Sequence, residues 1–90
     1  MLANIYATDS NLVTISLEDG RKIIGQLDDS DNMKILENTT NLDDKTAQCA
    51  AGLALVIVQV EGYDTMVWRH LLGKAQECKK HVEKIKYQLN

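Results

Sequence analysis

A chain of 90 residues with 44% hydrophobic content is the size of one domain, 1–90, and too apolar for a disordered tail. Its longest apolar run, Leu53 to Val60, is far shorter than the roughly 18 residues of a membrane span, and the opening MLANIYATDS lacks the basic and apolar regions of a secretory signal. The net charge of −3 is divided: nine acids face three bases over residues 1–44, and seven bases face four acids over 45–90, which reads as a solvated acidic loop beside a solvated basic helix face, with a nucleic-acid or partner surface as the alternative.

Val13, Ile15 and Leu17 alternate, the pattern of a half-buried strand, and Ile23, Gly25 and Leu27 repeat it. Both apolar sets must share one face, because a one-residue slip turns a strand over. A two-residue Asp19-Gly20 turn would set them on opposite faces. A three-residue loop, Glu18-Asp19-Gly20, pairs Leu17 with Arg21, Ile15 with Ile23 and Val13 with Gly25, and the faces coincide. Such loops end on a left-handed residue, which Gly20 supplies. Gly25 inside the second strand predicts a bend or a close backbone approach. Asp28 to Asn32 reads as a polar turn, Met33 to Glu37 as a short third strand, and 38–46 as a loop.

The middle of the chain reads two ways. Ala47, Ala50, Ala51 and Ala54 favour a helix capped at Asp43 or Asp44, whereas the β-branched LALVIVQV suits a buried strand. The final segment is a helix. Trp68, Leu71, Ala75, Cys78, Val82, Ile85 and Leu89 recur at steps of three and four, an a/d stripe with Leu72 beside it, and Asp64 or Thr65 can cap its start. Arg69, Lys74, Lys79, Lys80, Lys84 and Lys86 lie off the stripe. A helix on the order of 35 Å exceeds what so small a sheet needs, so it packs along another long element or another chain.

Chemical motifs are sparse. There is no glycine-rich phosphate loop, no HExxH, no CxxC and no nucleophile elbow. Cys78 and His81 are three apart, but a metal site needs more ligands, and Cys78 on the stripe reads as a small core residue. Cys49 and Cys78 read as reduced thiols of a cytoplasmic protein, with a Cys49–Cys78 disulfide as the lesser alternative. The carboxylates of Asp28, Asp29 and Asp31 read as solvated and ionised. Aromatics for base stacking are few: Tyr6, Tyr63, Trp68 and Tyr87.

The order VTISLEDGRKIIGQL followed by Asp31 resembles the first signature of the Sm/LSm/Hfq family: a strand, Asp-Gly, a second strand with a central glycine, then an Asp. Val13, Ile15, Leu17, Gly20, Gly25, Leu27 and Asp31 stand at the matching positions, and Asn32, Met33, Ile35 and Leu36 continue it in an Hfq-like way. The second signature departs: Val56 to Gly62, VIVQVEG, offers Glu61 where LSm proteins carry an arginine, and the Hfq Lys-His pair is absent from this segment. The resemblance implies a small bent five-stranded barrel, ring assembly, and single-stranded RNA at the loops around Asp31–Met33 and Glu61–Gly62.

The sequence therefore predicts an α+β fold. A small antiparallel sheet, the N-terminal hairpin plus a short third strand in a β-rich 1–40, carries a long C-terminal amphipathic helix. That helix packs as a helical hairpin with 43–61, within a mainly helical 43–90. The expected function is a non-catalytic protein–protein interaction or oligomerisation module without cofactor or metal. Its interface is Trp68, Leu71, Leu72, Ala75, Cys78, Val82, Ile85 and Leu89, and its partner a second copy or another protein. The alternative is an Sm-like RNA-binding module contacting nucleic acid through Asp31, Asn32, Met33, Arg69, Lys79, Lys80 and Lys84. A small-ligand-binding protein or enzyme ranks third.

Overall fold

A computed structural model describes residues 1–9 and 11–88, with side chains through Glu83 in the last helix. Four strands run as an antiparallel meander: β1 (Leu2–Ala7), β2 (Leu12–Leu17), β3 (Lys22–Leu27) and β4 (Met33–Asn38). The chain then forms α1 (Asp44–Val56), which continues as a π-helical turn over Ile57–Glu61. It returns as the short strand β5 (Thr65–Val67) and ends in α2 (Trp68–Gln88). β5 pairs antiparallel with β1, so the sheet order is β4-β3-β2-β1-β5. The fold is α+β, with a small antiparallel sheet and a long C-terminal helix.

The β2–β3 hairpin has the register its apolar spacing dictates, with Val13 opposite Gly25 and Ile15 opposite Ile23. The Leu17 N–H donates to the Arg21 carbonyl at 2.8 Å and the Gly20 N–H to the Leu17 carbonyl at 3.1 Å, closing the three-residue loop. Gly20 has a φ of 93°, in the left-handed region. The Asp19 carboxylate accepts from the Arg21 backbone N–H at 3.1 Å and from its guanidinium Nε at 2.7 Å, which holds the carboxyl below its ordinary range.

At the β3–β4 turn the Asp28 carboxylate accepts from the backbone N–H groups of Asn32 and Ser30, at 3.0 and 2.8 Å, and these lower its pKa. Asp28 is thus a turn-forming residue, and Asp31 takes a left-handed φ of 61° beside it. The third strand expected from Met33 is present as β4, fourth in order because β1 precedes the hairpin.

α1 resolves the ambiguous middle in favour of helix. Asp43 is its N-cap: the carboxylate accepts from the Thr46 hydroxyl at 2.6 Å and the Thr46 N–H at 3.4 Å. Ala47, Ala50, Ala51 and Ala54 form a fully buried face on the sheet, against Ile5, Val13, Ile15 and Ile23. Small side chains let the helix come down onto β3 at Gly25, where a Cβ would stand 2.9 Å from the Ala51 Cβ and 2.7 Å from the Met33 sulfur. The close approach expected of Gly25 is this contact.

One expectation is corrected and one is refined. Residues 56–62 are not the strand that would carry a second Sm-type signature; Val56 ends α1 and Ile57–Glu61 is a π-helical turn. α1 and α2 are in contact, but they are not joined directly as a hairpin of 43–61 against 64–89 would be. Thr65–Val67 belongs to the sheet, Asp64 uses its carbonyl to accept from the Ile5 N–H at 2.8 Å, and α2 starts only at Trp68, whose N–H donates to the Met1 carbonyl at 2.9 Å. Backbone pairing with the N-terminal strand takes up the residues expected to cap the helix. Among the described residues no helix is long and apolar enough to cross a membrane.

Candidate functional site

Three segments converge on one open groove of about 680 Å³. The β3–β4 turn contributes Asp31, Asn32 and Met33, the flank of α1 contributes Cys49, Gly52, Leu53 and Val56, and α2 contributes Cys78 and Val82. The helical repeat explains the α1 side. Cys49, Leu53 and Val56 recur at steps of four and three, so they form a stripe next to the alanine face that the sheet buries. Val56 and Val82, which both line this groove, remain 52% and 54% exposed, so the groove presents apolar surface to its opening.

The C-terminal stripe divides along its length. Leu71 and Ala75 are fully buried in the chain's own core, with Trp68 packed against it and Leu72 half-buried. Leu71, Ala75 and Trp68 are thus occupied within the chain. Cys78 and Val82 emerge from the core into the groove. Ile85 and Leu89 lie outside the residues whose side chains are described. The first half of α2 carries the residues that join the core, and the second half lies beyond them against the flank of α1.

The residues expected to contact nucleic acid are not gathered. Asp31, Asn32 and Met33 line the groove, where Asp31 puts an acid. Lys79 is bound to the Asp43 carboxylate at 3.1 Å. Lys79 and Lys80 together line a separate polar cleft of about 440 Å³, but with Asp43 and Glu83 beside them. Arg69 is exposed near the start of α2, three turns before Lys80, and the Lys84 side chain lies outside the described residues. The ion pair to Lys79 adds to the Thr46 hydrogen bond in holding the Asp43 carboxyl down at about 2.

The reactive groups of the groove are its two thiols. Both are half-buried where α1 and α2 border the groove, and burial, followed by the influence of Cys78, pushes the Cys49 thiol up to about 11. Among the described residues no group of three or more His, Cys, Asp or Glu side chains is placed to hold a metal ion. Reading the sequence alone misses the α1 half of the groove. Its signal, the Cys49–Leu53–Val56 spacing, acquires meaning only once 44–56 is known to be helical. No protein-family model, curated protein or solved structure matches this chain.

Proposed function

We propose that the chain is a non-catalytic interaction module that self-associates through the groove between α1 and the distal half of α2. The observation that supports this reading is the pair of half-exposed valines, Val56 and Val82, that line one groove together with Leu53 and Met33. Apolar surface of this kind is stabilised by a second apolar stripe. The sequence continues the stripe past Val82 with Ile85 and Leu89, at heptad spacing, which suits a like partner. A reduced, cytoplasmic setting goes with the reading, because the two cysteines are unpaired thiols.

Sedimentation of the parent chain and of Val82→Asp tests it. The parent should show concentration-dependent association and the variant a monomer; matching profiles would sink the proposal. An Sm-like RNA-binding reading draws support from Asp31, Asn32 and Met33 lining the same groove. It requires salt-dependent retention of single-stranded RNA that is lost when Lys79, Lys80 and Lys84 are replaced.

A further inference from the structure

We propose that two copies of the chain pair antiparallel through the outer edge of β4, across a two-fold axis between Ile35 and Leu36. The inference rests on the self-association proposed above and names the strand that makes it. β4 ends the sheet, with β3 on one side and, among the described residues, no strand on the other. The ladder shows which backbone groups point off that edge. The Leu17 N–H donates to the Arg21 carbonyl at 2.8 Å, and bonded pairs alternate along an antiparallel ladder, so the odd-numbered residues of β3 turn to β2 and the even-numbered ones to β4. The 2.9 Å bonds from the Thr39 N–H to the Lys22 carbonyl and from the Asp28 N–H to the Asn32 carbonyl agree. Lys34 and Glu37, opposite Gln26 and Ile24, therefore direct their backbone groups to β3. Met33, Ile35 and Asn38, opposite Leu27, Gly25 and Ile23, direct theirs outward.

Leu36 is the extra residue of a bulge, because Glu37 stands opposite Ile24 while Ile35 stands opposite the next residue, Gly25. In an unbroken strand, residues three apart lie on opposite faces. The bulge instead sets Lys34 and Glu37 on the same face, the open one, where Glu37 pairs with Lys22 at 3.3 Å. An axis between Ile35 and Leu36 then places Lys34 opposite the partner's Glu37, and Met33 opposite the partner's Asn38. Lys34 and Glu37 both turn their backbone toward β3, so they meet as a non-hydrogen-bonded pair, in which side chains come closest. Met33 and Asn38 both turn outward, so they exchange the backbone bonds. Charges of opposite sign face each other at both symmetry-related places.

The bulge also selects the occupant. A regular strand laid along β4 falls out of step at Leu36. A second copy carries the same bulge, and the axis sets both bulges at the centre, where Leu36, 54% exposed in the single chain, is covered. Met33 belongs both to β4 and to the groove, so the strand edge and the groove form one continuous surface. The other edge of the sheet, β5, spans only three residues. Pairing through β4 alone closes at two copies and does not run on as a fibre.

The test is sedimentation of the full chain, of Lys34→Glu, of Glu37→Lys and of the double variant, with circular dichroism confirming the fold of each. Lys34 is exposed and the Glu37 side chain is 42% exposed, so neither reversal disturbs the core. Each single reversal sets like charges opposite one another at two places and should weaken association by about tenfold. The double reversal should restore it. Hydrogen exchange at the Ile35 amide should slow by about tenfold once about nine-tenths of the chain is paired, because only the uncovered edge exchanges. Single reversals that associate as the parent does, or an Ile35 amide whose exchange ignores concentration, would overturn the proposal. If Val82→Asp is monomeric in the same assay, that outcome leaves the groove reading standing, whereas a parent chain that stays monomeric overturns both.

Discussion

Gly25 on β3 and Ala51 on α1 are in direct apposition: a Cβ at position 25 would lie 2.9 Å from the Ala51 Cβ, closer than carbon atoms pack. Helix and sheet are seated at that point with nothing between backbone and methyl. Met33 also approaches, but its thioether is flexible, whereas the Ala51 methyl is fixed to the helix axis.

Gly25→Ala should therefore lower the unfolding free energy by about 1–3 kcal/mol through overpacking. Denaturant titration measures it, and Ala51→Gly supplies the second arm. Ala51→Gly alone loses about 1 kcal/mol of helix preference. In the double variant the clash is relieved, so the combined loss should fall short of the sum. Strict additivity would show that some other contact excludes a side chain at position 25.

Gly20 carries the other backbone demand, with its φ of 93° closing the β2–β3 loop. An alanine there has no neighbour within 4 Å to collide with, so its effect isolates the conformational term. Gly20→Ala should destabilise by about 1–2 kcal/mol, with no change in the apolar contacts of the hairpin. A neutral result in denaturant titration would mean the loop relaxes to another turn.

The hairpin and Gly20 were legible in the sequence because their determinants are local: period-two alternation and one turn residue settle the register between them. β1 was not, although Ala3 and Ile5 alternate on its buried face, because two small or medium side chains make a faint signal and the pairing with β5 is remote. The same remote pairing takes Thr65–Val67 from the expected start of α2. The run Leu53–Val60 is β-branched and reads as strand in isolation; the alanines before it decide otherwise, since only their helical face fits so closely over Gly25. The groove was half legible. Its α2 side stands in the heptad stripe, but the stripe does not reveal that burial stops after Ala75 and leaves Val82 half-exposed.

That division of the stripe separates two kinds of substitution. Leu71 is fully buried, so Leu71→Ala should cost about 2–5 kcal/mol by lost burial and a residual cavity. Val82 is 54% exposed, so Val82→Ala in the single chain should stay within about 0.5 kcal/mol. Both are read from denaturant titration at a protein concentration low enough to keep the chain monomeric. Comparable losses at the two positions would show that α2 is buried evenly along its length.

Asp43 joins the start of α1 to α2, by its hydrogen bonds to Thr46 and its 3.1 Å ion pair with Lys79. Those contacts favour the ionised carboxylate, so its folded-state pKa of about 2 lies below the ordinary 3.8. A lowered value means that the stabilisation is fully present above 3.8 and is lost as pH falls from there through about 2. Asn at this position still caps a helix but neither titrates nor pairs with Lys79. Asp43→Asn should accordingly be less stable than the parent near neutral pH, with the gap closing as the acid range is entered. Asp19 and Asp28 also titrate low, held by the backbone N–H groups of Arg21 and Asn32, but they are common to both proteins and cancel in the difference. Thermal midpoints of the two proteins across about pH 2–6 provide the measurement. Added salt should shrink the gap near neutrality by screening the exposed Lys79 pair. A gap that persists unchanged to the acid end would place the value of Asp43 in its geometry as a cap and leave its charge without effect.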